Sequence, residues 1–181
     1  MRHIIFGRPL QHVIHYENWP MDCLVRYIGK KQAFLNSETC KIISEIAALN
    51  THKPTRVAWL GELYDLFASF VDRQVIQMAR EDLHLAPCLN HVMVAIERKL
   101  PCRIHSFSAV FECIDRIRQD HDVQKRIFAL IRSTMRDNRS ACPTGYYPDL
   151  FKSLNIFEKD WLHVVDLQQK VLFPKILCMT I

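Results

Sequence analysis

Val164-Val-Asp-Leu-Gln168-Gln-Lys-Val-Leu-Phe-Pro174 closes the most regular amphipathic segment of the chain. Upstream of it, from Pro148, apolar residues fall at Leu150, Leu154, Phe157, Trp161 and Val164, with Val171 beyond. Steps of three, four and seven draw one stripe along a helix of 3.6 residues per turn. The spacing predicts a helix from Pro148 to Phe173, ended by a proline. Gln168 lies on that stripe, and an amide on a core-facing line must find a hydrogen-bond partner or cost free energy. It is therefore either a deliberate core amide or the remainder of a former site.

The same ending occurs earlier. His91-Val-Met-Val-Ala95-Ile-Glu-Arg-Lys-Leu-Pro101 also sets a proline ten residues after its first member, with Ala95 one turn on, where the later copy has Gln168. Pro87 belongs at a first helical turn, so residues 81 to 86 read as a break and a short helix is expected from Pro87 to about Lys99. Before it, Pro20 and Asp22 suit the start of a helix running to about Asn50, with Leu24, Tyr27, Ile28, Leu35, Ile42, Ile43 and Ile46 inward. Asn50 to Pro54 is a turn signal, and a second helix runs from Thr55 to Arg80 over Leu60, Leu63, Phe67, Phe70, Val71 and Ile76. A helix from Ser106 to Arg136 carries Phe107, Val110, Phe111, Ile114, Ile117, His121 and Ile131, and Asp137 to Gly145 is a loop. Residues 1 to 18 are expected to be an arm and 177 to 181 a tail, around one domain from 19 to 176.

Composition agrees with this pattern. Apolar residues make up 49% of the 181, and there are only 4 glycines, which favours packed helices over a turn-rich β sandwich or a disordered chain. The fold class is all-α, and four principal helices with short connections predict an antiparallel bundle. A formal charge of +5 and a pI near 8.9 are mild, and the basic residues are scattered, so nucleic acid is not expected as a partner. Seven cysteines, without a Cys-x-x-Cys pair, read as reduced thiols of a cytoplasmic protein, Cys88 and Cys113 buried among them. No run approaches the ~18 apolar residues of a membrane span. There is no Gly-rich phosphate loop, Gly-x-Ser-x-Gly or His-Glu-x-x-His, so an enzyme reading lacks a motif.

The two proline-terminated motifs resemble the hemerythrin-like di-iron proteins of the RIC type, the iron-sulfur-cluster repair and nitric-oxide-stress family. Two helices there carry His-x-x-x-Glu followed by Leu-Phe-Pro, and a third carries a His-Asp pair. Phe107 to His121-Asp122 looks like the run into that third helix, and Trp19 to Gln32-Ala33 looks like the first bundle helix, where a His or His-His is expected. The resemblance covers residues 19 to 176, although the span from Gln32 to His91 is longer than it implies, which predicts an inserted turn or helical segment. His91 and His121 match its ligands. Gln32 or Ala33, Ala95, Val164 and Gln168 stand where the family has His, Glu, His and Glu. Two cations held a few ångströms apart need bridging carboxylates, and both matching positions lack one. The family also carries a small N-terminal domain with a cysteine pair, which residues 1 to 18 are too few to supply.

The resemblance thus implies a hemerythrin-like scaffold without a normal di-iron centre and with no resident cofactor. It implies a regulatory or interaction module of the iron-sulfur or nitrosative and oxidative stress response, with a protein partner or a second copy. The rival expectation is a metalloprotein of altered coordination, with His91 and His121 joined by His163, Asp166 or Glu97 around one iron or zinc. His163 stands one residue, about 100°, out of register. His84, Cys88 and His91 form a further spacing able to meet on a soft metal, with Pro87 setting His84 outside the helix. Against each metal reading stands the plain one, in which His121 is a hydrogen-bonded core residue oriented by Asp122 and Met78 and Met93 fill gaps.

Overall fold

A computed structural model describes residues 14–51, 58–100, 107–138 and 147–178. Within them the chain is helical throughout. After a 3-10 turn, Tyr16–Asn18, come α1 (Met21–Thr51), α2 (Ala58–Arg80), α3 (Ala86–Glu97), α4 (Phe107–Asp137), α5 (Tyr147–Leu167) and α6 (Phe173–Cys178). The expected turn at Asn50 to Pro54, the loop at Asp137 to Gly145 and the arm at 1 to 18 fall largely outside the described residues. The described end of that arm is docked: Tyr16 lies 4.9 Å from Trp19 and 5.5 Å from His163, ring centre to ring centre.

α1 packs on α2 and α5, α2 packs on α4, and α4 meets α5, which closes the ring of contacts. The stripes read from periodicity supply the core, with Leu24, Leu63, Phe67, Phe70, Ile117, Ile131, Leu150 and Phe173 all fully enclosed. At its centre Phe70 meets Phe128 at 4.8 Å and Trp161 at 5.5 Å, both edge to face, the arrangement aromatic quadrupoles prefer. Two expected core residues face outward. Ile76 is 55% exposed and Phe111 43%, because each lies a step off the stripe that its helix buries.

The predicted break at residues 81 to 86 is replaced by something more specific. Glu81–Leu85 is a π turn that joins α2 to α3 in one continuous rod. Its widened ring is closed by the Ala86 N–H on the Glu81 carbonyl. Pro87, which has no N–H and whose ring collides with the carbonyl one turn back in a regular helix, follows directly after. The second π turn, Gln168–Leu172, repeats the device: the Phe173 N–H donates to the Gln168 carbonyl and Pro174 comes next. One extra residue per turn shifts the carbonyls and lets each helix pass through its proline.

α3 ends where the Leu100 N–H reaches back to the Ala95 carbonyl at 2.9 Å, with Lys99 left-handed at φ 52°. Left-handed backbone crowds a Cβ against the next carbonyl, and glycine escapes that cost. Lys99→Gly is therefore expected to stabilise the protein by about 1 kcal/mol, seen as a higher midpoint in urea at unchanged m-value.

Candidate functional site

Five elements send polar side chains into one enclosed space. Gln32 comes from the middle of α1, Gln77 from the last turn of α2, Glu81 from the first π turn, His121 from the middle of α4, and Gln168 with Gln169 from the second π turn. Gln77 and Glu81 are one turn apart and share a face. The π turns bring Glu81 and Gln168 within hydrogen-bond distance of each other.

Glu81 is the hub. Its Oε1 accepts from Gln77 Nε2 at 2.7 Å and from Gln168 Nε2 at 3.1 Å, and its Oε2 accepts from Gln32 Nε2 at 2.9 Å. The second hydrogen of the Gln77 amide is directed at His121 Nε2, 3.0 Å away. An imidazole that accepts at Nε2 and is uncharged carries its proton on Nδ1. Nδ1 lies 3.1 Å from Gln169 Nε2, and turning that amide about its last bond puts its oxygen there to accept the Nδ1 proton. His121 is fully buried and stands edge-on to Trp161. A second amide pair lies alongside, Gln124 Nε2 donating to Gln74 Oε1 at 3.0 Å. The carbonyl oxygens of Gln77 and Gln124 have no partner among the described residues.

Burial governs the charge states. It pushes His121 down to about 4, with the Lys125 ammonium adding to the effect and Asp122 opposing it, so the ring is neutral at physiological pH. Burial pushes Glu81 above the usual carboxylate range, against the three amides that favour its anion. Burial and the nearby Glu81 also push up the Cys113 thiol, which therefore stays protonated.

The inward-facing pair lies one proline before the stretch singled out by its spacing. His91 is exposed on α3 and Ala95 packs in the core, while Gln77 and Glu81 occupy the inward positions. Measured to Pro87, Gln77 and Glu81 have the spacing that Val164 and Gln168 have to Pro174. The pair was therefore visible in the sequence one proline earlier. Gln32, not the exposed Ala33, is the α1 residue that faces the site.

The other candidates lie elsewhere. Asp122 is on the surface, 3.8 Å from Lys125, so amides and not this carboxylate orient His121. Asp166 pairs with Lys170 at 2.9 Å, Glu97 and His84 are exposed, and His163 lies among Tyr16 and Tyr27. Cys88 and Cys113 are buried, and Met78 accepts from Asn36 Nδ2 at 3.3 Å. Among the described residues no three His, Cys, Asp or Glu side chains converge on a point that could hold a metal. One carboxylate and one imidazole separated by an amide do not fit a di-iron centre, whose charge needs several anionic bridges.

No family model, curated protein or solved structure matches the chain.

The His121 shift has a sign. The unfolded state binds a proton near the ordinary pKa of 6.5 and the folded state only near 4, so stability is full above 6.5 and falls as the pH drops through that window. The loss amounts to roughly 3 kcal/mol at most. In chemical denaturation from pH 7 to 4, His121→Gln is expected to flatten this slope while lowering stability at pH 7, because Gln77 and Gln169 lose geometry.

Proposed function

We propose that the chain is a hemerythrin-like bundle of the RIC kind, antiparallel in topology, whose centre has been converted from metal ligation to a hydrogen-bonded amide lock. In this reading it acts as a regulatory or protein-interaction module of the iron-sulfur or nitrosative and oxidative stress response. The observation that carries the reading is the register: Gln32, Gln77, Glu81, His121 and Gln168 meet around one point, each on a position the family uses for ligands. Glutamine can hydrogen-bond where histidine and glutamate would coordinate, and it adds no charge to a closed core.

The outer surface supports a protein partner or a second copy. Ile76 and Leu83, seven residues apart, are 55% and 69% exposed, and Val75 beside them is 60% exposed. Exposed apolar side chains along one rod offer such a partner a surface to bury. Among the described residues no helix is long and apolar enough to cross a membrane. A cytoplasmic setting belongs to the same proposal.

Metal analysis of protein purified without chelator tests the reading. Substoichiometric iron and zinc are expected, with a melting temperature that does not respond to Fe(II), since a ligand bound only by the folded state must stabilise it. Stoichiometric iron lost in His121→Ala would overturn the proposal. The register itself is tested by gain of function. Restoring the family's ligand types with Gln32→His, Gln77→His, Val164→His and Gln168→Glu, beside the native Glu81 and His121, is expected to produce iron binding. Restoring a glutamate at Ala95 beside His91 is expected to produce none. Metal content and visible absorption read both outcomes.

A further inference from the structure

Beside the amide lock lies a cavity of about 130 Å³, framed by α1, α3 and both π turns. Its floor is Gln32, Glu81 and Gln168, and its walls are apolar, with Val25, Ile28 and Leu89 prominent. No lysine, arginine or histidine lines it, and Asp82 adds a second carboxylate. We propose that this cavity binds a short primary alkylammonium ion, its head on Glu81 and its hydrocarbon along the walls.

A carboxylate has about four acceptor positions, and that of Glu81 fills three, all from neutral amides, two of them on Oε1. The open position is on Oε2. Neighbouring Arg80 is committed to Asp120 across to α4. Among the described ion pairs none involves Glu81. A carboxylate that accepts only from neutral amides, with another carboxylate beside it and no cation paired to it, is where an incoming cation gains most.

The rest of the lining selects the kind of cation. A hard metal ion takes six or more oxygen ligands, whereas the amides here turn their N–H groups to Glu81 and leave one carboxylate position. An ammonium supplies N–H donors of its own and needs few acceptors. Its alkyl chain displaces water from the apolar walls. An apolar cavity of roughly 150 Å³ holds a benzene, so the space here admits a chain of about three or four carbons. Gly29 lines the cavity, and a Cβ built on it meets nothing within 4 Å. The mouth is thus open over α1.

This inference stands apart from the metal-free reading, because iron content and amine binding are measured separately. Titration of the metal-free protein with n-propylammonium chloride at pH 7, followed by amide NMR and melting temperature, is the test, with n-propanol and sodium chloride as controls. Saturable shifts at Gly29, Gln32 and Leu89 with a rise in melting temperature are expected for the amine alone. Glu81→Gln is expected to weaken binding at least tenfold. That variant keeps acceptors for Gln77 and Gln168, and Gln32 can turn its oxygen toward the new amide. Gly29→Leu, which fills the mouth and leaves Glu81 untouched, is expected to abolish binding, and it decides the matter alone if Glu81→Gln does not fold. Equal shifts from n-propanol, binding within twofold of wild type in both variants, or no saturable shift at these residues would overturn the proposal.

Discussion

One amide group holds the centre of this molecule together. The Gln77 side chain directs one hydrogen to Glu81 and the other to His121, so a residue of α2 joins the first π turn to α4. That double donation fixes the imidazole tautomer, with its remaining proton on Nδ1, toward the side-chain amide of Gln169. Gln168 and Gln32 then bring the second π turn and α1 to the same carboxylate. In a low-dielectric interior such a network is costly when broken, because each freed group is left desolvated. Packing supplies the bulk of the stabilisation, and this network sets which helix faces meet and in what register.

The two π turns make the network possible. Each adds a residue just before an alanine or phenylalanine and a proline, and each thereby turns a polar side chain inward and carries the helix past a residue that would otherwise kink it. The widening also opens space: both turns border the cavity beneath α1. Local backbone irregularity and the polar site are two consequences of the same insertion.

Electrostatically the site is unusual for holding an acid without a base. Burial keeps His121 neutral, and Glu81 accepts from three amides beside the Asp82 carboxylate, with the neighbouring Arg80 drawn off to Asp120. Amide donors favour the carboxylate anion while burial disfavours it. An arrangement of this kind is a poor metal cage and a good receptor for a compact organic cation, and the apolar walls beside it extend that preference to the ligand's tail.

How much of this was legible follows from periodicity and its limits. The stripe Leu150, Leu154, Phe157, Trp161 and Val164 fixed α5, and Gln168 on that stripe announced a buried amide, because a polar group facing a core needs a partner wherever it sits. His121 was placed inside by the same logic. The partners were a different matter. Glu81 and Gln77 lay before a proline that reads locally as a helix start, so the pattern pointed to the next histidine, His91, which faces solvent. Sequence by itself determined which residues could be buried, since that depends on local spacing. Only the tertiary structure decided which buried groups meet, since that depends on a π turn whose extra residue is stabilised by contacts from three other helices and leaves no local mark beyond the proline that follows it.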